Sequence, residues 1–186
     1  MREYVKLPNL LTSGSLAAGF LAMLLIFQNN LLQAAGLVAL AALLDILDGP
    51  VARRVGTEGA FGTNLDSLAD LVSFGAAPAL ALYWGSLYNL PVVGVATCII
   101  FLLCGAWRLA RFSTCKNPLY FVGCPIPAAG LLVALLAVLR PHPLLALPAV
   151  LILSVLMVGT RPFPTLSGLR NREKLSQVVD EYRQTR

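Results

Sequence analysis

Four aspartates stand close together in a chain that has little other chemistry to offer. They fall in Asp45-Ile46-Leu47-Asp48-Gly49-Pro50-Val51-Ala52-Arg53 and, after a short break, in Gly62-Thr63-Asn64-Leu65-Asp66-Ser67-Leu68-Ala69-Asp70. Asp45 and Asp48 are three apart and Asp66 and Asp70 four apart, so on helices each pair shares one face. Carboxylate oxygens are the ligands of hard divalent cations, here Mg²⁺ or Mn²⁺, as one ion or two. The single histidine, His142, leaves almost nothing for a His-based zinc site or a phosphohistidine mechanism. Cys98, Cys104, Cys115 and Cys124 form no C-x-x-C pair, which makes a disulfide or metal-thiolate framework improbable.

The elements that carry these carboxylates read as membrane spans. Of the 186 residues, 58% are apolar and the mean hydropathy is +0.77, the composition of a single-domain integral membrane protein. A carboxylate at bilayer depth costs about 2.5–3.5 kcal/mol, so four unpaired ones would cost on the order of 10–14 kcal/mol. A bound cation or a water-filled site has to offset that. Arg54 to Gly59 reads as a turn centred near Thr57, with Asp48 nine residues before it, Asp66 nine after, and Asp45 and Asp70 twelve and thirteen away. In an antiparallel helical hairpin rising ~1.5 Å per residue, all four carboxylates then lie at nearly one depth, roughly 13–20 Å from the turn.

The whole chain predicts an all-α bundle of about six transmembrane helices, over 9–27, 31–53, 60–82, 91–112, 128–139 and 144–158. Met1 to Leu7 is expected at the interface. Residues 1–160 form the transmembrane domain, and 161–186 a basic cytoplasmic tail whose Leu175, Val178, Val179 and Tyr182 follow helical spacing as an amphipathic helix. Pro50 and Pro78 are expected to loosen or bend their helices. Trp84 and Tyr88 suit a membrane interface.

Thirteen of the fourteen Lys and Arg residues fall at one set of alternating span ends, and only Arg140 falls at the other. The positive-inside rule then puts both termini and the acidic cluster on the cytoplasmic side of the cytoplasmic membrane. No basic run accompanies a soluble binding fold, so no nucleic-acid partner is expected. Thr12 and Ser13, at the polar start of the first span, either bond back to helix carbonyls or touch a ligand. Arg108 and Arg111 either snorkel or form an anion site beside the carboxylates.

A cage of this kind passes ions or holds a phosphate-bearing lipid for cleavage. Gly49 and Ala52 clear bulk beside the aspartates where a nucleotide could approach, and Arg53 places a positive charge one turn nearer water, fit for phosphate. The outer halves of the spans are almost purely aliphatic, a dead end for a conduction path. Transfer chemistry is therefore favoured, with a divalent-cation transporter as the alternative of another class.

The segment from Asp45 to Asp70 reads D-x₂-D-G-x₂-A-R-x₈-G-x₃-D-x₃-D without departure. In this it resembles the CDP-alcohol phosphatidyltransferases. Pro8-Asn9-Leu10-Leu11-Thr12-Ser13-Gly14, Arg108-Leu109-Ala110-Arg111-Phe112 and Tyr120 to Ala129 are similar to the branch that transfers to serine. The resemblance implies attack of the L-serine hydroxyl on CDP-diacylglycerol, giving phosphatidylserine and CMP. Glycerol phosphate or an inositol phosphate is the alternative acceptor. It implies Mg²⁺ or Mn²⁺, expected as two ions, on Asp45, Asp48, Asp66 and Asp70, with Asp70 as general base. Asn9, Thr12, Asp48, Gly49, Ala52, Arg53 and Gly62 would meet the CDP-lipid, and Arg108 and Arg111 the serine carboxylate. It also implies a homodimer among membrane lipids. Three positions depart from the serine branch: Ser15 and Ser113 replace Asn, and Cys124 replaces Leu.

Overall fold

The computed structural model describes residues 7–55, 59–114, 120–159 and 162–164, and side chains over 7–51, 59–111 and 123–159. Six helices account for nearly all of this. α1 (Leu7–Phe27) and α2 (Leu31–Val55) form a hairpin through the tight turn at Gln28–Asn30, where Asn29 takes a left-handed φ of 61°. α3 is the long apolar helix Ala60–Leu87, α4 is Pro91–Thr114, α5 Ile126–Leu139 and α6 Pro143–Val158. The first four are long and apolar enough to cross a membrane, while α5 and α6 are shorter apolar helices. The protein is an integral membrane protein of the all-α class expected from its sequence.

Helix starts follow local chemistry. Pro8 sits in the first turn of α1, where its missing N–H costs nothing. His142 caps α6 by accepting from the Leu144 N–H at 3.3 Å. At the opposite end of α5, Arg140 closes the helix in the left-handed conformation, φ 47°, and donates to Asn29 Oδ1 at 2.8 Å, pinning two turns of the same bundle end together.

The two prolines behave differently from one another. Pro50 does not end α2, which runs on to Val55, and its ring lies on an exposed face. Pro78 does not end α3 either. It cannot donate to the Phe74 carbonyl, and the ladder widens into π-type turns over Leu71–Ala76 just before it. α5 packs directly on this place: a Cβ on Gly130 would fall 2.4 Å from Phe74 O. A second widened segment, Tyr83–Leu87, ends α3, and there Trp84 and Tyr88 stack with centroids 4.9 Å apart, both partly exposed as interface aromatics are.

The core is small-residue packing between helices: Ala18, Ala22, Ala34, Ala41, Phe74, Ala77, Ile126, Ala129, Val133 and Met157 are all buried. Large apolar side chains such as Leu32, Val92, Trp107, Leu139 and Val155 point outward instead, the inverse of a soluble bundle and the pattern of a protein solvated by lipid. One feature was not expected, a two-stranded antiparallel ribbon of β1 (Tyr120–Val122) and β2 (Pro162–Pro164), with Phe121 opposite Phe163. The amphipathic stretch from Leu175 to Tyr182 and the side chains of Ala52, Arg53 and Ser113 lie outside the described residues, as does Cys115. Cys98, Cys104 and Cys124 are free thiols.

Candidate active site

α2 and α3 follow one another through the short stretch 56–59 and both pack on α1, which brings the two Asp pairs face to face. Asp45, Asp48 and Asp66 each offer a carboxylate oxygen, and the three oxygens lie within 4.8 Å of one another. Asp70, one turn further along α3, is only 8% exposed, and Asp45 is within hydrogen-bonding reach of both Asp66 and Asp70. Three half-buried carboxylate oxygens at this spacing repel one another in the absence of a shared cation. The donor set, oxygen only, fits a hard divalent ion.

α1 is the third wall. The Thr12 hydroxyl donates to Asp48 Oδ2 at 2.8 Å and lies 3.1 Å from the Pro8 carbonyl, so it reaches both the back-bonding position and a carboxylate of the cluster. Ser13 bonds back to Asn9 O at 2.7 Å. Asn9 faces α3 at Gly62, where a Cβ would lie 3.2 Å from Asn9 Oδ1. Gly62 thus keeps α1 and α3 close at the mouth of the cage. Gly49 is half-buried next to Asp48 on α2. The structure therefore gathers Asn9, Thr12, Asp48, Gly49 and Gly62 around the carboxylates.

α4 contributes the cations. Arg108 does not snorkel: it is 7% exposed and lies within electrostatic range of Asp70, with Cys124 among its neighbours. Arg111, three residues on, takes a different direction. Its Nη1 donates to Val158 O at 3.1 Å and its Nη2 to Gly159 O at 3.3 Å, so it holds the carbonyl end of α6. The segment entering α5 docks on that same end. Cys124 N–H donates to Leu156 O at 3.0 Å, and Gly123, at φ +83°, lies so near Met157 O that a Cβ would come within 2.4 Å. The two arginines that look equivalent in sequence thus stand in different surroundings.

Two buried residues were not singled out for this role. Ser15 and Ser73 are 2% and 0% exposed and link α1 to α2 and to α3 through hydroxyl-to-carbonyl bonds. Their signal was present in the spacing, since each follows a site residue, Thr12 or Asp70, by three positions.

Comparison with known proteins places this geometry in context. The model of the CDP-alcohol phosphatidyltransferase family matches residues 5–160, which include all six helices. A CDP-diacylglycerol–serine O-phosphatidyltransferase of Helicobacter pylori is 38% identical over 183 residues, covering 92% of this chain and 77% of the relative. One of the same name from Bacillus subtilis is 35% identical over 159 residues, 85% of this chain and 89% of the relative. An archaetidylserine synthase of Methanothermobacter thermautotrophicus is 34% identical over 174 residues, 90% and 73% of the two chains. With its acidic signature intact and its six helices all inside the match, the chain belongs to the CDP-alcohol phosphatidyltransferase family.

Proposed function

We propose that the protein transfers the phosphatidyl group of CDP-diacylglycerol to the hydroxyl of L-serine, releasing CMP. The observation that carries this reading is the meeting of Asp45, Asp48 and Asp66 within 4.8 Å beside a fourth carboxylate, Asp70, and a buried guanidinium, Arg108. Relatives that cover most of the chain at 35–38% identity are named for transfer to serine.

A divalent cation, Mg²⁺ or Mn²⁺, held by Asp45, Asp48 and Asp66 with Asp70 beside it, would supply charge neutralisation for the pyrophosphate and the departing CMP. Asp70 takes the proton from the serine hydroxyl as its oxygen bonds to the lipid-bearing phosphorus and the bond to the CMP oxygen breaks. A carboxylate is a weak base toward an alcohol, so alignment of the reactants carries most of the rate. Thr12 fixes the orientation of Asp48 through their 2.8 Å bond. Asn9, Gly49, Ala52, Arg53 and Gly62 receive the nucleotide, the glycines and alanine by leaving room and Arg53 by charge. Arg108 takes the serine carboxylate, since it is the buried cation that faces Asp70. Arg111 supports that region by holding the end of α6.

The cage is closed on its deeper side. One turn deeper the helices close on Ser15, Ser73 and Ala41, and beyond them on Ala18, Ala22, Ile26, Val38 and Phe74, all at most 5% exposed. A cation pathway through this packing would need polar groups along it, and transfer at a blind site does not. We place both termini and the mouth of the cage on the cytoplasmic side, from the charge asymmetry of the loops, and take the working unit to be a homodimer. Residues 1–160 form the catalytic unit and 161–186 its basic tail.

The test is to offer purified protein CDP-diacylglycerol, or its ether-linked counterpart, with labelled serine, glycerol 3-phosphate or inositol phosphate. CMP release with label entering lipid from serine alone is the expected result. Label from another acceptor shifts the assignment within the family. Metal flux into liposomes with no CMP release overturns it.

A further inference from the structure

We infer that Ser15 and Ser73 form a strut that sets the depth at which α3 meets α2, and so positions the carboxylates for their cation. The inference rests on the reading of the carboxylate cluster as a metal-dependent transfer site. The observations lie one helical turn below that cluster. Ser73 Oγ of α3 donates to the Ser15 carbonyl of α1 at 2.9 Å, and Ser15 Oγ donates to the Ala41 carbonyl of α2 at 3.2 Å.

The positions share a layer. Ser73 follows Asp70 by three, Ser15 follows Thr12 by three, and Ala41 precedes Asp45 by four. Because α2 runs opposite to α1 and α3, each offset is a step of one turn away from the mouth. The acidic layer is therefore copied, one turn deeper, by a layer of neutral bonds. That layer joins all three helices, whereas like charges in the acidic layer push them apart.

Two further details make this layer rigid. A carbonyl oxygen has two lone pairs, so the serine hydroxyls bond to Ser15 and Ala41 without displacing a helix bond. Gly19, one turn beyond Ser15, removes all slack: a Cβ there would stand 2.4 Å from Ser73 Oγ and 2.7 Å from Ser73 Cα. α3 also enters its π-type turns at Leu71, immediately after Asp70, so the ladder of α3 alone does not fix where Asp66 and Asp70 lie relative to α2. The bonds to α1 do. Ser15 and Ser73 touch neither substrate nor ion and act only through the carboxylates, as positioning residues.

The experiment compares Ser73→Ala, Ser15→Ala and Gly85→Ala with the wild-type protein in detergent. Gly85 is an equally tight contact at the far end of α3, where a Cβ would lie 2.6 Å from Ala137 O, and it serves as the packing control. Mn²⁺ affinity is read by electron paramagnetic resonance, alongside the metal concentration for half-maximal CMP release and the unfolding midpoint. Loss of one ordinary hydrogen bond corresponds to roughly three- to tenfold. Ser73→Ala and Ser15→Ala are expected to weaken Mn²⁺ binding by that factor, with turnover at saturating metal within about twofold of wild type. Gly85→Ala is expected to lower the midpoint and leave Mn²⁺ affinity unchanged. Serine variants that bind Mn²⁺ like wild type overturn the strut and leave the transfer reading intact, as does Gly85→Ala weakening the metal equally. Wild-type protein that releases CMP without divalent metal overturns both.

Discussion

Arg108 and Arg111 give the sharpest test of how the acceptor is held. Changing each to Gln removes the charge and keeps most of the side-chain length. Arg108 is 7% exposed and faces Asp70, so a carboxylate paired with it does so out of water. Charge-assisted hydrogen bonds of this kind are worth about 1.5–3 kcal/mol each. A loss of about 3 kcal/mol, at 1.4 kcal/mol per decade, makes the serine KM roughly 100-fold higher in Arg108→Gln. The KM for CDP-diacylglycerol should move by less than about threefold, because on the proposed reading the donor is held at the carboxylates and at α1. Arg111→Gln loses its bonds to Val158 O and Gly159 O instead. At about 0.5–1 kcal/mol each for a half-exposed group, the cost is about 1–2 kcal/mol of stability, or roughly 2–8 °C in unfolding midpoint for a chain of this size. Its serine KM should stay within about threefold. Steady-state kinetics with both substrates varied, plus a thermal melt, decide the matter. Equal rises in serine KM for the two variants would refute the division of labour, and an unchanged serine KM in Arg108→Gln would remove it from the pocket.

Further outcomes follow from the same geometry. Thr12→Val keeps the shape of a side chain that is 4% exposed and deletes the 2.8 Å bond to Asp48, so kcat/KM for the CDP-lipid should fall roughly 10- to 100-fold, with recovery in Thr12→Ser. Chelation should abolish CMP release and readdition of Mg²⁺ or Mn²⁺ should restore it; the melt should also drop on chelation, because the clustered carboxylates then repel. Gly123→Ala adds strain at φ +83° and a Cβ 2.4 Å from Met157 O, so a loss of at least about 2 kcal/mol is expected in a denaturation series. Gly130→Ala, aimed at Phe74 O, should destabilise by about 1–3 kcal/mol while leaving both KM values near wild type.

The bundle was legible in the sequence because six apolar runs alternate with turns and charged ends, and lipid solvation removes most competing folds. The depth of the acidic layer was equally legible: a fixed rise per residue and a short turn leave the four aspartates little choice. Pro78 loosens α3 without ending it. Its cost is local, one missing donor at Phe74 O, and widened turns together with the Gly130 contact absorb it. The arginines show the opposite limit. A three-residue spacing puts Arg108 and Arg111 on one face of α4, yet which guanidinium meets Asp70 and which meets the end of α6 depends on where α6 stops. No local pattern encodes that. The ribbon of Tyr120–Val122 with Pro162–Pro164 escaped for a similar reason, being a pairing of two very short segments about forty residues apart.

The departures from the serine branch now separate by position. Ser15, where Asn is usual, is 2% exposed and spends its hydroxyl on Ala41 O, so it does not line an acceptor pocket. A longer amide in that slot could still bridge α1 and α2, which makes the exchange one of strut for strut. Cys124, where Leu is usual, is the departure that lies near Arg108. Its backbone N–H is already tied to Leu156 O, so the fold there is set by the main chain and the side chain is free to vary. Of the two departures with described side chains, only Cys124 is therefore placed to tune acceptor affinity. It lies near the one buried cation among the described side chains of α4, while the carboxylate cage and its α1 supports are untouched. On the proposed reading, the reaction class and the choice of acceptor are thus written in different parts of this bundle, the first on α1, α2 and α3, the second where α4 meets the entry to α5.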